Sequence, residues 1–321
     1  MAHTFSNDVE AADALKQAYA NLKAEIAKVV VGQDDVVRLV LTGIFCQGHS
    51  LLVGVPGLAK TLLVQTIATS LDLNFKRIQF TPDLMPSDIV GAETMDKERN
   101  FQFVKGPIFA NIILADEINR TPPKTQAALL ESMQEYAVTI AGKQYELPRP
   151  FFVLATQNPI EQEGTYPLPE AQLDRFMFNI WLDYPSYQQE VDIVKNTTAD
   201  EMRKVNKVLT AEEIVAFQHL VRRVPVADNV VEYAVKLTQA TRPGTPGNKV
   251  ANDYLEWGAG PRASQYLVLG AKCNALINGK YSPDIEDVQA VARPVLRHRI
   301  VRNFKAEAEG MSVDSLIEKL L

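Results

Sequence analysis

The sequence is poor in cysteine: only Cys46 and Cys273 occur among 321 residues, and they lie far apart in the chain. A disulfide framework needs several paired cysteines, and a zinc site needs cysteine and histidine ligands close together. The sequence therefore supports neither kind of site. Two reduced thiols are typical of a reducing compartment, so a cytoplasmic protein is expected.

Long apolar runs are also missing. A helix that crosses a bilayer needs about 20 consecutive apolar residues. The longest candidate, residues 36–45, is interrupted by Arg38. The first ten residues contain Asp8 and Glu10 and no apolar stretch, so they do not look like a secretory signal. We therefore expect neither a membrane span nor a leader.

Positive charge is in slight deficit, because 33 Lys and Arg stand against 39 Asp and Glu, a formal net charge of −6. Proteins that coat nucleic acid are usually basic, so nucleic acid is not the expected main partner. Hydrophobic residues make up 46% and charged residues 22%, ordinary values for a globular protein with a full core. At roughly 150 residues per domain, the length predicts about two domains.

Short apolar runs alternate with helical patterns through the first half of the chain. Strands are predicted at residues 50–53, 75–80, 112–115, 151–155 and 178–182. Strands that are apolar through their length and alternate with helices predict a parallel sheet covered by helices on both faces. After residue 184 strand signals largely disappear, and helices are expected at 190–195, 211–221, 229–240, 263–278 and 285–302. The prediction is an α/β domain over residues 1–184, with insertions at about 81–106 and 136–150, and an all-helical domain over 185–321.

The most informative local pattern runs from Gly54 to Thr61, between a predicted strand and a predicted helix. Glycines let backbone N–H groups point at phosphate oxygens, a lysine meets the outer phosphates, and a hydroxyl holds Mg²⁺. Ala59 stands where the last glycine is usual, and alanine serves there if the position needs a negative φ. The residues predicted to bind a nucleotide in this stretch are Gly54, Val55, Pro56, Gly57, Leu58, Ala59, Lys60, Thr61 and Leu62.

Two carboxylates, Asp116 and Glu117, follow the predicted strand at 112–115. The end of that strand lies at the carboxyl edge of the sheet, beside the glycine-rich loop. There Asp116 and Thr61 can hold Mg²⁺, and Glu117 can polarise a water for attack on a phosphate. Asn158 follows the next strand, where its amide can hold the attacking water. Its other interpretation is a turn starter before a proline.

In this order, the motifs resemble those of MoxR-type AAA+ ATPases over nearly the whole chain. That family belongs to a clade with an insertion after the second helix, which includes the magnesium chelatase ATPase subunit. The resemblance implies a P-loop NTPase domain of the AAA+ fold and a helical lid, and the family tolerates alanine before the lysine. It rests on residues 30–33, 54–61, 106–109, 114–124, 155–159, 173–176 and 260–263.

The resemblance implies roles for individual residues. Val30 and Val31 would line the adenine pocket, and Asn158 matches the sensor 1 position. Arg175 matches an arginine finger that reaches the ATP of a neighbouring subunit, and Arg262 matches sensor 2. The alternatives are an ion pair with a neighbouring carboxylate for Arg175 and a surface position at a helix start for Arg262. Arg120 also stands where it could act across a subunit boundary, so the finger is either Arg175 or Arg120.

A finger supplied in trans makes hydrolysis depend on assembly, and head-to-tail contacts of this kind close into rings. The family implies a hexamer that binds ATP and Mg²⁺ and remodels or matures other proteins. It also implies partners with von Willebrand factor A domains and metal or cofactor insertion.

The sequence also bears on three other functions. A GTP-dependent switch needs Asn-Lys-x-Asp, and neither Asn206-Lys207 nor Asn248-Lys249 is followed by that aspartate. A module that binds ATP without hydrolysing it would be expected to lose Glu117 or Arg175. A DNA-acting AAA+ motor stays open as the alternative.

Two further features allow two interpretations each. A basic run at residues 293–305 is either a nucleic-acid contact or, as we favour, a solvated or inter-subunit helix face. Phe101 and Phe103, on the first insertion, either grip a substrate or only complete a small sheet.

Overall fold

The computed structural model describes residues 5, 7–95, 97–160, 164–199, 203–245 and 247–321. These residues form two compact units that do not divide the chain at a single point. The sheet unit comprises residues 20–168 and 180–215, and the helical unit comprises the described residues up to 19 together with 169–179 and 216–321. The expected domain boundary after residue 184 stays a prediction.

The helices are numbered in chain order. They are α1 (Asp8–Ala27), α2 (Asp34–Phe45), α3 (Lys60–Ser70), α4 (Pro86–Val90), α5 (Pro123–Glu135), α6 (Glu170–Leu173), α7 (Tyr187–Thr197), α8 (Ala211–Arg223), α9 (Asp228–Ala240), α10 (Lys249–Tyr254), α11 (Pro261–Ile277), α12 (Ile285–Leu296), α13 (Phe304–Ala308) and α14 (Val313–Glu318). A short 3₁₀ helix covers Ile118–Arg120.

The strands are numbered in the same way. They are β1 (Ser50–Val53), β2 (Phe75–Gln79), β3 (Gly91–Met95), β4 (Phe101–Lys105), β5 (Ile112–Asp116), β6 (Ala137–Ile140), β7 (Lys143–Glu146), β8 (Phe152–Gln157), β9 (Phe178–Trp181), β10 (Leu255–Trp257) and β11 (Val301–Arg302).

The five strands predicted from apolar runs form one sheet, in the order β2-β5-β8-β1-β9. The pairs β1–β8, β5–β8 and β2–β5 are parallel, which confirms the predicted parallel sheet. Its inner strands are buried on both faces, and Leu51, Ile113 and Leu154 are 0% exposed. Parallel register brings the carboxyl ends of β1, β5 and β8 to the same edge, where the predicted site residues follow the strands.

The strand β2 differs from the prediction that every strand is apolar along its length. Lys76 and Arg77 are exposed, and Gln79 is half-buried. The reason is that β2 lies at the edge of the sheet and has a neighbouring strand on one side only. Its register places Arg77 opposite Leu114 and Gln79 opposite Asp116, so its polar side chains reach the end of β5.

Both predicted insertions lie outside the main sheet as two-stranded hairpins, β3–β4 and β6–β7. The rings of Phe103 and Tyr145 connect the two hairpins, with centroids 4.2 Å apart. Phe103 therefore serves local packing. Phe101 is 71% exposed. Met95, which lies directly opposite it in the β3–β4 register, is 58% exposed.

The helices expected after residue 184 are present, although α7 belongs to the sheet unit, and the end of the chain needs one correction. The helix predicted over 285–302 ends at Leu296, and residues 301–302 form β11. This strand pairs antiparallel with β10. The segment is therefore not entirely helical, because Leu255 and Trp257 supply a strand partner that the helical pattern did not indicate.

The basic run at residues 293–305 is not simply the expected solvated face. Arg299 is only 7% exposed and forms an ion pair with Asp174. The other cations are also engaged within the helical unit: Arg293 with Glu318, Arg297 with Asp314, Arg302 with the Met311 carbonyl, and Lys305 with the Tyr254 ring. These contacts weaken the interpretation of the run as a nucleic-acid surface. No helix in the described part of the chain is both long and apolar enough to cross a membrane.

Candidate functional site

The glycine-rich loop joins β1 to α3, as the sequence predicted. Gly57 has a φ of +87°, a conformation that L side chains rarely adopt, and a Cβ placed there would meet no atom within 4 Å. Lys60 begins α3 and its Nζ donates a hydrogen bond to the Gly54 carbonyl at 2.7 Å. Burial lowers the pKa of the Lys60 ammonium, while the carboxylates of Asp116 and Glu117 act in the opposite direction. Both carboxylates therefore lie close enough to influence the lysine of the loop.

 
At position 59, alanine was expected to serve if the position needed a negative φ, but Ala59 has a φ of +52° and a ψ of 31°, in the left-handed region. For a residue with a Cβ, this conformation costs about 1–2 kcal/mol. Ala59 nevertheless provides the carbonyl that accepts the hydrogen bond from the Leu63 N–H, at 2.9 Å, in the first turn of α3. The glycine usual at this position would adopt the same turn without that strain.

The remaining residues of the predicted stretch lie where the pattern placed them. Val55, Pro56 and Leu58 are in the loop, and Pro56 is exposed. Thr61 is the second residue of α3 and is half-buried. Leu62 follows in the same turn and is 42% exposed.

Asp116 and Glu117 lie at the carboxyl end of β5, and one hydroxyl orients both. The Thr156 Oγ1 donates to Asp116 Oδ1 at 2.6 Å and accepts from the Glu117 N–H at 2.9 Å. Thr156 is 0% exposed, and Asp116 is 8% exposed. Glu117 has a φ of +58°, which turns the chain sharply at the end of the strand. Thr156 therefore fixes the carboxylate of one residue and the backbone of the next.

Three side chains that face these carboxylates carry positive charge or amide donors. Arg77 Nη2 lies 2.6 Å from Asp116 Oδ2, and Arg120 Nε lies 3.2 Å from Glu117 Oε2. The Gln79 Nε2 donates to the same Glu117 oxygen at 3.0 Å. Sequence reasoning missed Arg77, Gln79 and the role of Thr156. The available signal was the polar spacing within β2, which is unusual for a strand of a parallel sheet.

Asn158 directly follows β8 and is 6% exposed. Its Oδ1 accepts a hydrogen bond from the Ile160 N–H at 3.2 Å, the contact of a turn starter. Its Nδ2 is buried and has no hydrogen-bond partner among the described residues. Buried amide donors are nearly always paired in proteins, so this nitrogen is suited to a water or a phosphate oxygen.

The oxygen donors of Thr61 and Asp116 fit a hard cation such as Mg²⁺. This ion prefers hydroxyl, carboxylate, phosphate and water oxygens, and it commonly takes only one or two protein ligands beside a nucleotide. No group of three His, Cys, Asp or Glu side chains that could hold a metal occurs within the described ranges. The residues present therefore fit a cation that a bound nucleotide helps to hold, and they do not form an all-protein metal cage.

Val30 and Val31 lie between α1 and α2 and line a cavity of about 170 Å³. Gly32, the next residue, has a φ of +76°, and a Cβ there would come within 2.5 Å of the Gln189 side chain. The complete lining is Lys23, Ile26, Ala27, Val30, Val31, Gly32, Gln33, Asp34 and Val37. Most of these lining residues are apolar, as a pocket for a flat base requires.

Arg175 and Arg262 belong to the helical unit. Arg262, in the first turn of α11, forms an ion pair with Asp174, with Nη1 and Oδ2 3.1 Å apart. Arg175 lies two residues after the end of α6 and is half-buried; its side chain makes no hydrogen bond or ion pair within the described residues. Arg262 is therefore ion-paired and not simply a surface residue, whereas Arg175 has no carboxylate partner among the described residues, and both roles stay predictions.

Comparisons with known proteins show which family and which fold this chain resembles. Residues 49–178 match the model of the ATPase family associated with various cellular activities, and residues 248–320 match the AAA lid domain. The chain is 42% identical over 299 residues to Chaperone MoxR1 of Mycobacterium tuberculosis, covering 92% of this chain and 79% of that protein. It is 41% identical over 298 residues to the uncharacterized protein YeaC of Bacillus subtilis, with 92% and 91% covered. A crystal structure of a candidate ATPase from Cytophaga hutchinsonii superposes with a TM-score of 0.90 at 44% identity, covering 97% of this chain and 95% of that one.

Proposed function

This chain belongs to the MoxR family of AAA+ ATPases, and we propose that it couples Mg²⁺-dependent ATP hydrolysis to the remodelling or maturation of other proteins. The ATPase assignment follows from the family. The observation that carries the chemistry is the pair of carboxylates at the end of β5, held by Thr156 beside the loop of Lys60. The proposed chaperone role is supported by the likeness to Chaperone MoxR1.

In the proposed mechanism, the loop N–H groups and Lys60 hold the ATP phosphates, and the N-terminus of α3 adds favourable electrostatics. Thr61 and Asp116 would hold Mg²⁺, which neutralises charge on the outer phosphates. Val30 and Val31 would hold the adenine. These assignments use only residues that line the loop, the carboxyl edge of the sheet and the cavity beside α1.

Glu117 is the proposed general base. Its contacts with Gln79 and Arg120 both fall on Oε2, and Oε1 is therefore the oxygen that can accept a proton from water. The buried Nδ2 of Asn158 can donate to that water and orient it. A carboxylate that takes the proton and an amide that holds the nucleophile are together sufficient to direct attack on the terminal phosphate.

We assign the arginine finger to Arg175, acting on the ATP of a neighbouring subunit in a homo-oligomeric ring that the family suggests is a hexamer. Two observations support this choice over Arg120. The Arg120 side chain is ion-paired with Glu117 of its own chain, whereas the Arg175 side chain has no such pair among the described residues. Arg262 is proposed as sensor 2, for which release from Asp174 would be required.

The test is the specific ATPase rate measured against protein concentration, for the wild type, Arg175→Ala and Arg120→Ala. Because a trans finger contributes about 10³–10⁵ in rate, Arg175→Ala should lose at least 10³-fold while still binding ATP. The wild-type specific rate should rise with concentration as rings form. A rate that is flat with concentration and survives Arg175→Ala would contradict the assignment, and Arg120 would replace it.

For the client, the exposed apolar pair Met95 and Phe101 on the β3–β4 hairpin is the proposed contact surface. Large exposed apolar side chains that lie together often mark protein-binding sites. The family further suggests von Willebrand factor A domain partners and metal or cofactor insertion. A chemically denatured model enzyme provides a first probe: Phe101→Ser should weaken ATP-dependent suppression of its aggregation and leave the basal ATPase rate unchanged. Equal suppression by both proteins would exclude this surface.

The two buried free cysteines, Cys46 and Cys273, support a cytoplasmic location.

A further inference from the structure

The backbone segment that carries Arg175 is held by the side chain of a single buried arginine, Arg299. The Arg299 guanidinium donates to the carbonyls of Asp174 at 2.8 Å, Phe176 at 2.7 Å and Met177 at 3.4 Å. Its Nε also donates to the Asp174 carboxylate at 2.7 Å. Arg299 therefore contacts the chain on both sides of Arg175.

The carbonyl of Arg175 itself is held by a neighbouring side chain. The Tyr266 hydroxyl, on α11, donates to it at 3.4 Å. The Arg299 guanidinium lies over the Tyr266 ring, 5.2 Å from its centroid. Four successive carbonyls, from Asp174 to Met177, thus accept hydrogen bonds from two stacked side chains.

 
Arg299 is only 7% exposed. Its guanidinium must therefore be paired and hydrogen-bonded, because a buried charge without partners is strongly destabilising. Burial lowers the pKa of Arg299, and the Asp174 carboxylate acts against that change. The five N–H donors of a guanidinium form a rigid planar fork, whereas lysine has a single ammonium. A lysine at this position can keep the pair with Asp174 but cannot hold the three carbonyls together.

The segment also groups with the helices and not with the sheet. Residues 169–179 belong to the same compact unit as residues 216–321, which contain α11, α12 and Arg299. Asp174 completes the connection, because its Oδ2 pairs with Arg262 while its Oδ1 pairs with Arg299. The backbone of Arg175 is therefore fixed to the helical unit, while its side chain makes no ion pair within the described residues.

We propose that Arg299 is a positioning residue for Arg175: it fixes the backbone on both sides of the finger, so that the finger has a defined geometry when it reaches the ATP of the next subunit. This inference rests on the proposed role of Arg175 as the finger in trans. It predicts that a defect at Arg299 appears in the active site of the neighbouring subunit and not in the site of the same chain.

The experiment uses Arg299→Lys in the full chain and compares it with Arg175→Ala. A misplacement of about 1 Å in a catalytic group can cost about 10²-fold in rate, so the kcat of Arg299→Lys should fall by roughly that factor. Its affinity for ATP, measured with a fluorescent nucleotide, should stay within about twofold of the wild type, because the fold and the loop are retained. Arg293→Lys is the matched control: it lies on α12 and pairs with Glu318, and it should keep the wild-type kcat.

Mixed rings then identify the subunit in which Arg299 acts. Glu117→Gln subunits lack the proposed base but keep an intact finger segment. Mixing them with Arg299→Lys subunits before adding ATP should restore hydrolysis, because each Arg299→Lys site can receive a finger from a Glu117→Gln neighbour. Arg175→Ala should be restored in the same way.

The outcomes separate this inference from the proposed function. If Arg175→Ala is restored and Arg299→Lys is not, or if Arg299→Lys keeps its kcat, Arg299 does not position the finger. If Arg175→Ala is not restored, the finger in trans is itself wrong. Should Arg299→Lys fail to fold, Tyr266→Phe replaces it in the same mixture, with a loss of a few fold expected because one hydrogen bond to the Arg175 carbonyl is removed. No loss in that variant would overturn the inference.

Discussion

Thr156 provides the sharpest test of how the carboxylates at the end of β5 are held. Thr156→Val keeps the shape of the side chain but removes the hydroxyl that bonds Asp116 and Glu117. A hydrogen bond to a charged group contributes about 1.5–3 kcal/mol, and a buried N–H left without a partner costs about 1–3 kcal/mol. Because Thr156 is 0% exposed, water does not replace either bond. We expect the free energy of unfolding to fall by roughly 2.5–6 kcal/mol.

A loss of activity should accompany the loss of stability. Without the hydroxyl, neither the Asp116 carboxylate nor the backbone of Glu117 is held in place, and kcat should fall by about 10²-fold. The assays are chemical denaturation at low temperature and steady-state ATP hydrolysis. Thr156→Ser is the matched control, because it keeps both hydrogen bonds and loses one methyl group, about 1 kcal/mol. If the valine variant were as stable and as active as the serine variant, the proposed role of the hydroxyl would be refuted.

Two further predictions concern a buried histidine and the cation beside Asp116. His49 donates from Nε2 to the Met133 carbonyl and accepts from the Val153 N–H at Nδ1, so it is neutral, and burial lowers its pKa to about 4. The unfolded chain protonates this imidazole near pH 6.5 and the folded chain does not, so the free energy of unfolding should fall by about 2 kcal/mol between pH 7.5 and pH 5. His49→Gln should lack this part of the pH dependence. Equal slopes of unfolding free energy against pH in both proteins would contradict the prediction. Arg77→Gln should lower the Mg²⁺ concentration needed for half-maximal ATPase by roughly two- to fivefold, because it removes a half-exposed cation that competes for the Asp116 carboxylate. A higher Mg²⁺ requirement would show that Arg77 instead holds that carboxylate in position for the metal.

The features that the sequence predicted well depend on neighbours along the chain. The loop from Gly54 to Thr61 is recognisable because glycine, lysine and a hydroxyl must follow one another closely to surround a phosphate. The inner strands of the sheet were found because strands buried on both faces are continuous apolar runs. The position of Asp116 and Glu117 at the sheet edge followed from the strand that precedes them, and the structure confirms it.

Other features differ from what the sequence indicated, because the backbone or the packing there depends on the folded structure. The φ of Ala59 is positive, because the turn into α3 imposes its geometry on whichever residue occupies that position. The helix predicted to end at residue 302 ends at Leu296, because residues 301–302 pair with a strand some 45 positions earlier in the chain, at 255–257. Arg299 was interpreted as part of an exposed or inter-subunit face, yet it is buried against the segment that carries Arg175.

The sequence by itself determined the family, the parallel sheet and the residues of the glycine-rich loop, because these depend on short-range spacing and on the periodicity of apolar residues. Only the tertiary structure decided which side chains support them. Arg77 reaches Asp116 from a strand 39 residues away, Thr156 reaches it from 40 residues away, and Arg299 reaches Asp174 from 125 residues away. Hydrogen bonds and ion pairs act over about 3 Å, so their partners are set by how the strands and helices pack and not by their separation along the chain.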